Sequence, residues 1–259
     1  MIGNLRSFKD KHKGETCYIF GDGPSIRYFD YSNFTDHIAI SCGNQIVHKN
    51  FNQLNVRYYS IIEPYLFYPN WVLRSKRLQY LKKHRLMTNE YRRVIKERSD
   101  INFFINLSNI FAISSPNVTF AHSSLVRGSK KFEKIFESGV NPFAGSFCAN
   151  LSLAMLMGFK KIYLVGYDAF TIQQSPYRWY EKTFPGLDVG APSTPVKHDF
   201  LELYKEEMEI FNISPNGTMC NLKDQNYAEY TGHPLAYKQN YEIIIPEKMD
   251  LIRRMYPSV

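Results

Sequence analysis

Apolar residues along this chain fall mostly in runs of strand length, each closed by a polar or glycine-containing turn. Residues 16–20, 37–41, 57–62, 101–105 and 117–121 are such runs, and each predicts a short strand. Residues 144–158 differ: the stretch is apolar almost throughout, with Gly145 and Ser146 at its start, which predicts a buried helix. It runs through Phe159-Lys160-Lys161 into another apolar run, 162–165, followed by Gly166-Tyr167-Asp168. A helix feeding a central strand is half of a parallel α/β unit. The expected fold is α/β and Rossmann-like, a mostly parallel sheet with helices on both faces.

The remaining segments give weaker patterns. Residues 1–15 are polar and basic and predict a loosely held arm, 130–138 a short helix, and 200–213 a strongly helical stretch opened by His198. Residues 217–221 predict a final strand, with a tyrosine-rich irregular tail after it. Residues 171–197 hold Pro176, Pro185, Pro192, Pro195, Gly186 and Gly190 around Tyr177, Trp179 and Tyr180. That is too long for an ordinary connection and reads as a lid. The domain plan is therefore 1–168 with 198–259 as one Rossmann-like domain, and 169–197 as a lid over its site.

Strand ends suggest where that site lies. The first run ends in Gly21-Asp22-Gly23-Pro24-Ser25, the second in Asn44-Gln45, the third in Glu63 and the later one in Asp168. Ligands of open α/β sheets bind beyond the carboxyl ends of the strands, so these polar tips line one pocket. Gly145 and Ser146 would present unpaired helix N–H groups to a phosphate. The first turn is neither a dinucleotide fingerprint nor a P-loop, because the third glycine and the Gly-Lys-Ser/Thr are missing.

Composition adds a few limits. The hydrophobic fraction is 44% and the charged fraction 22%, ordinary for a globular protein, while aromatics reach 15%. No apolar run is long enough for a membrane span, and no secretory leader is visible, so the expectation is a cytoplasmic protein. Cys17, Cys42, Cys148 and Cys220 fit free thiols, and their spacing matches no zinc motif. The net charge of +8 is concentrated between Arg74 and Arg98. Three readings of that run stay open: a solvated face, a patch for an anionic membrane leaflet, or a nucleic-acid surface, the last unsupported by any motif.

The motifs Gly21-Asp22-Gly23-Pro24-Ser25, Asn44-Gln45, Glu63-Pro64 and the stretch from Gly145-Ser146 to Gly166-Tyr167-Asp168 carry a resemblance. In their order and spacing the chain is similar, over residues 16–213, to the bacterial sialyltransferases that use CMP-sialic acid. The resemblance implies a CMP-nonulosonate donor, a glycan or lipid-linked oligosaccharide acceptor belonging to a bacterial surface glycan such as lipopolysaccharide, and a homo-oligomer. It also implies His198 as base, Tyr177 beside the departing phosphate, and Asn44, Gly145, Ser146 and the lid's Ser175 on the donor. The family's asparagine in the first turn is Asp22 here, and Glu63 replaces another. A second tyrosine aligns with Phe170, and an arginine before the helix with Phe143. A related group includes flagellin-modifying proteins and a 6-hydroxymethylpterin diphosphokinase.

The chemistry agrees with transfer from CMP. No Asp-x-Asp occurs to hold a divalent metal on a nucleoside diphosphate, and a monophosphate can leave with hydrogen bonds alone. A histidine base and no covalent nucleophile would give inversion. The expectation is an inverting glycosyltransferase with no metal and no cofactor, held near the inner face of the membrane by its basic run. The alternatives are a Mg²⁺-dependent phosphotransferase with Asp22, Glu63 and Asp168 as ligands, and a non-catalytic nucleotide-binding module.

Overall fold

The computed structural model describes residues 5–69, 85–121, 145–167, 178–181, 201, 204–215 and 222–255. Eight strands form one sheet: β1 (Thr16–Phe20), β2 (Ile38–Cys42), β3 (Val56–Ile61), β4 (Asn102–Asn106), β5 (Val118–Ala121), β6 (Lys161–Val165), β7 (Glu209–Ser214) and β8 (Lys223–Asn226). Their spatial order is β5-β4-β3-β2-β1-β6-β7-β8, and every pairing is parallel. The chain builds outward from β1 to one edge, returns to place β6 against β1, and builds outward again. The switch point of the topology therefore lies between β1 and β6.

Alternation along the strands sends residues to two different cores. On β1, Tyr18 and Phe20 face one side with Tyr59, Phe103 and Tyr163, while Cys17 and Ile19 face the other with Ile40, Ile162 and Leu164. Helix α1 (Thr88–Glu97) lays Tyr91, Val94 and Ile95 on the first, aromatic side. Helix α2 (Ser146–Leu156) covers the second side, and its Ala149 and Ala154 allow close approach to the sheet. Because α2 is central, it is apolar all round rather than amphipathic.

The short strands and α2 follow the sequence reading to within a residue or two. Three expectations are corrected. The N-terminal segment is docked from residue 5 onward: Asp10, His12 and Gly14 donate backbone N–H groups to the carbonyls of Leu156, Met157 and Gly158, at 3.0, 2.8 and 2.8 Å. Phe8 packs edge-on against Phe104, and His12 stacks on Phe159 at 4.7 Å. The stretch read as helical to residue 213 turns into β7 at Glu209. Glu-Ile-Phe-Asn-Ile there is rich in β-branched and aromatic residues, and pairing with β6 outweighs the helix propensity of the residues before it. The tail is not irregular: it forms α3 (Tyr227–Thr231), α4 (Asn240–Ile243) and α5 (Met249–Met255). Asn226 caps α3, and a Gln239–Glu242 capping box starts α4. The strand expected at 217–221 and the helix expected at 130–138 lie outside the described residues.

Of the basic run, residues 70–84 also lie outside them. In the described part Arg93 bonds to Glu90 and Glu97, Arg98 to Asp100, and Arg92 to the carbonyls of Phe67 and Ala112. Among the described residues no helix is long and apolar enough to cross a membrane.

Candidate functional site

A cavity of about 210 Å³ opens at the carboxyl ends of β1, β2, β3 and β6. It straddles the switch point, where a parallel sheet leaves a crevice between strands whose crossovers run in opposite directions. The first turn supplies Asp22 and Gly23, the second Gly43 and Asn44, the third Ile62 and Glu63, and the start of α2 supplies Ser146 and Phe147. Its volume is below the roughly 300–1,000 Å³ that encloses a whole drug-sized ligand. It suits one part of a nucleotide sugar better than all of it.

Asp22 ties the first turn to the second and to the segment 178–181. Its carboxylate accepts the backbone N–H of Asn44 at 3.0 Å and the Trp179 indole N–H at 3.2 Å. Its carbonyl accepts the Trp179 backbone N–H at 2.9 Å. Gly43 makes the arrangement possible. With φ of +64° it leaves space that a Cβ would fill at 1.9 Å from an Asp22 carboxylate oxygen. Burial pushes the Asp22 carboxyl up to about 6, against the opposing pull of the Asn44 N–H, Arg178 and the Trp179 indole, with Glu63 adding to the rise. Burial also holds Glu63 above the usual carboxylate range, again opposed by Arg178.

Among the described residues Arg178 is the cation that lines the cavity, beside Tyr180. Its place is fixed by a residue at the far end of the first turn. Arg27, only 2% exposed, donates to the carbonyls of Trp179 and Glu181 at 2.5 and 2.7 Å, and to the Tyr237 hydroxyl at 2.9 Å. It also reaches the Lys238 carbonyl and the Asn240 side chain. Asn240 in turn donates to the Tyr180 carbonyl at 3.2 Å. A guanidinium with carbonyl partners in every direction replaces a regular element in holding residues 178–181 to the first turn and to α4.

Of the residues expected from sequence, Asp22, Gly23, Asn44, Glu63 and Ser146 come together at the cavity. Others support it without lining it. A Cβ on Gly21 would sit 2.6 Å from the Gly166 carbonyl, so this glycine permits β1 and β6 to close up at the switch point. Gln45 is fully buried and donates to the Gly21 carbonyl at 2.6 Å while its oxygen accepts the Tyr31 hydroxyl. Pro24 and Ser25 open a 3-10 turn at residues 24–28, and Gly145 precedes the first turn of α2. Asp168, Ser175, Tyr177 and His198, with Phe143 and Phe170, lie outside the described residues. So does most of the lid, 169–197.

The sequence reading missed Ser60, Tyr91, Tyr167, Arg178 and Tyr180, all of which line the cavity. Ser60 had a signal, as the one small polar residue within Tyr58-Tyr59-Ser60-Ile61. Arg178 had another, as a cation set between Tyr177 and Trp179. Tyr91 reaches the site from α1, where it donates to the Gly43 carbonyl at 2.8 Å, and nothing in its surroundings announces that.

No family model and no curated protein matches this chain. Among solved structures it is similar to the sialyltransferase CstII from Campylobacter jejuni in complex with cytidine-5'-monophosphate, at 15% identity and a TM-score of 0.48, over 95% of this chain and 99% of that one. It is similar to the α-2,3-sialyltransferase Cst-I from the same organism at 14% identity and 0.44, over 98% and 96%. The MAf glycosyltransferase from Magnetospirillum magneticum AMB-1 aligns at 13% and 0.45, over 97% of this chain and 41% of that protein.

Proposed function

We propose that the protein is a glycosyltransferase that takes a nonulosonic acid from its CMP form and moves it to a sugar hydroxyl of a surface glycan. The observation that supports this reading is the cavity at the switch point, where the carboxylates of Asp22 and Glu63, the amide of Asn44, the start of α2 at Ser146 and the Arg178 cation share one small space. Carboxylates suit ribose hydroxyls and amino groups, whereas a helix start and a guanidinium suit a phosphate. A ligand with sugar hydroxyls at one end and a single phosphate at the other fits that division.

In the proposed reaction an acceptor hydroxyl attacks the anomeric carbon of the donor, a new C–O bond forms, and the bond to the CMP phosphate oxygen breaks. His198 takes the hydroxyl proton, Tyr177 hydrogen-bonds the leaving phosphate, and Arg178 balances its charge. One displacement inverts the anomeric centre. The test is a thermal-shift screen of CMP, UDP, GDP and ATP, each with and without Mg²⁺. A shift with CMP that is indifferent to Mg²⁺ is expected, since a bound ligand stabilises by mass action. His198→Ala should keep that shift and lose transfer. If the variant still transfers, His198 is not the base.

A second reading draws on the same two carboxylates. Asp22 and Glu63 border one cavity, as groups holding Mg²⁺ for phosphoryl transfer would. A shift that requires ATP and Mg²⁺ together would favour that reading over the first.

A further inference from the structure

The floor of the cavity carries a chain of buried hydrogen bonds with a direction. Its far end is the Phe20 carbonyl, which can only accept, and the Tyr167 hydroxyl donates to it at 3.5 Å. Its proton goes to that carbonyl or to the neighbouring Cys42 sulfur at 3.7 Å, and in either case the Tyr167 oxygen accepts from the Asn150 side-chain NH₂ at 3.2 Å. Asn150 must then turn its carbonyl oxygen the other way, where it accepts the Ser60 hydroxyl at 2.6 Å. Asn150 is fully buried on α2 and Ser60 is 2% exposed on β3. A serine has one proton to give. Ser60 has given it to Asn150, so the face it turns to the cavity offers lone pairs only.

This matters because a free hydroxyl is ambivalent: it can donate to a carbonyl or accept from an amine, and it distinguishes the two poorly. A hydroxyl whose proton is committed does distinguish them. An amino group facing Ser60 gains a hydrogen bond, whereas a keto oxygen facing it sets two acceptors against each other in a desolvated space. We propose that Ser60 is a specificity-determining residue which admits a base bearing an exocyclic amine, such as cytosine, and rejects its keto counterpart. Asn150 is the positioning residue that makes Ser60 an acceptor. The proposal rests on the nucleotide-donor reading above and adds the choice of base to it.

The experiment compares CMP with UMP, which differ in the exocyclic group at C4 and in the proton on the adjacent N3, by calorimetric titration of the full chain; the Ser60 variants then assign the share of the discrimination that comes from the exocyclic group. Wild type should bind CMP about 10- to 100-fold more tightly. Ser60→Ala should bring the two affinities within about threefold, while Ser60→Thr, which keeps the hydroxyl, should retain the preference. Asn150→Leu, which has the same branching and number of heavy atoms as asparagine, frees the Ser60 proton and should raise UMP affinity as CMP affinity falls. A merely structural role for Asn150 would weaken both ligands alike. Equal binding of CMP and UMP by wild type would overturn the role of Ser60 and leave the nucleotide site standing. A preference unchanged in Ser60→Ala would overturn it as well. Binding of neither nucleotide would remove both proposals.

Discussion

Behind the sheet, on the side covered by α2, the core is largely aliphatic and its buried polar atoms are neutral. Leu151, Leu153, Ile162 and Leu164 fill it, and Asn150, Ser60, Ser152 and Tyr204 hydrogen-bond among themselves. In front, the core is aromatic and, α1 apart, the described elements are short. Phe29 stacks on Tyr227 at 4.7 Å and Tyr31 on His48 at 4.0 Å, and beside α1 the cover is made of 3-10 turns, short helices and loops. Among the described residues an arginine and a histidine are buried there, Arg27 and His48. A long helix satisfies its own backbone and needs only an apolar partner. Loops packed into a core do not, so their carbonyls must be met by side chains, and a guanidinium meets several at once. Both faces are stable, but only the front one holds a wall of the cavity through a charge.

Replacing Arg27 breaks that arrangement most severely. Arg27→Met strips the donors from the Trp179, Glu181 and Lys238 carbonyls together, and should cost about 3–5 kcal/mol in urea unfolding. Leu153→Ala on the opposite face should cost a similar amount, about 2–5 kcal/mol, through the hole it leaves. Nucleotide affinity separates them. The Leu153 variant should bind CMP as wild type does wherever it is folded, while the Arg27 variant should lose affinity because Arg178 and Tyr180 are no longer held over the cavity. Equal retention of binding by both would mean that residues 178–181 are held by other contacts.

His48 tests whether the front face is sensitive to acid. Its Nδ1 accepts the Asn50 backbone N–H at 3.1 Å, so Nε2 carries the proton, and that atom is buried with no acceptor among the described residues. Burial lowers its pKa from 6.5 to about 3, helped by Lys238 and Lys49 and opposed by Asp30. The unfolded chain therefore binds a proton that the folded one refuses between those values. Stability contributed by His48 is complete above about pH 6.5 and drains away as the pH falls toward 3. Between pH 6.5 and 4.5 the loss should be about 2–3 kcal/mol. His48→Phe keeps a ring against Tyr31 and should flatten that slope, as read from unfolding free energies at several pH values. A slope unchanged in the variant would assign the acid sensitivity to carboxylates.

How well the two faces could be read from sequence follows from the same contrast. The strands and α2 were legible because each is an apolar run whose length and flanking turns fit one element only, and the polar strand tips Asp22, Asn44 and Glu63 followed from them. The front face was not. Its tail reads as irregular because α3, α4 and α5 are too short to show a period, and β7 was hidden behind the helix-forming Glu-Glu-Met that precedes it. Arg27 looks in sequence like any surface arginine in a polar turn. Only its carbonyl partners, some 150 to 210 residues away, account for its burial. Ser60 could be seen as a polar residue in a strand, but the direction of its proton depends on Asn150 and Tyr167, which only the fold brings near.

Asp22 sits where the two faces meet, and it should give the smallest effect and the most specific one. A carboxyl whose pKa is raised from 3.8 to about 6 by burial is held more readily protonated in the folded state than in the unfolded one. Its favourable contribution is complete below about pH 3.8 and is lost as the pH rises through 6, so at neutral pH the folded protein carries an ionised group at a cost. Asp22→Asn keeps the planar shape that packs on Gly43 and an oxygen for the Asn44 N–H, and it removes the charge, but its NH₂ then meets the Trp179 indole N–H, a loss that is the same at every pH. Relative to wild type the variant should therefore gain about 1–2 kcal/mol of stability between pH 4 and pH 7.5. Unfolding free energies at pH 4, 6 and 7.5 would show a difference that grows with pH. A constant difference would mean that the carboxylate is adequately solvated, leaving burial of ionisable groups a property of the front face alone.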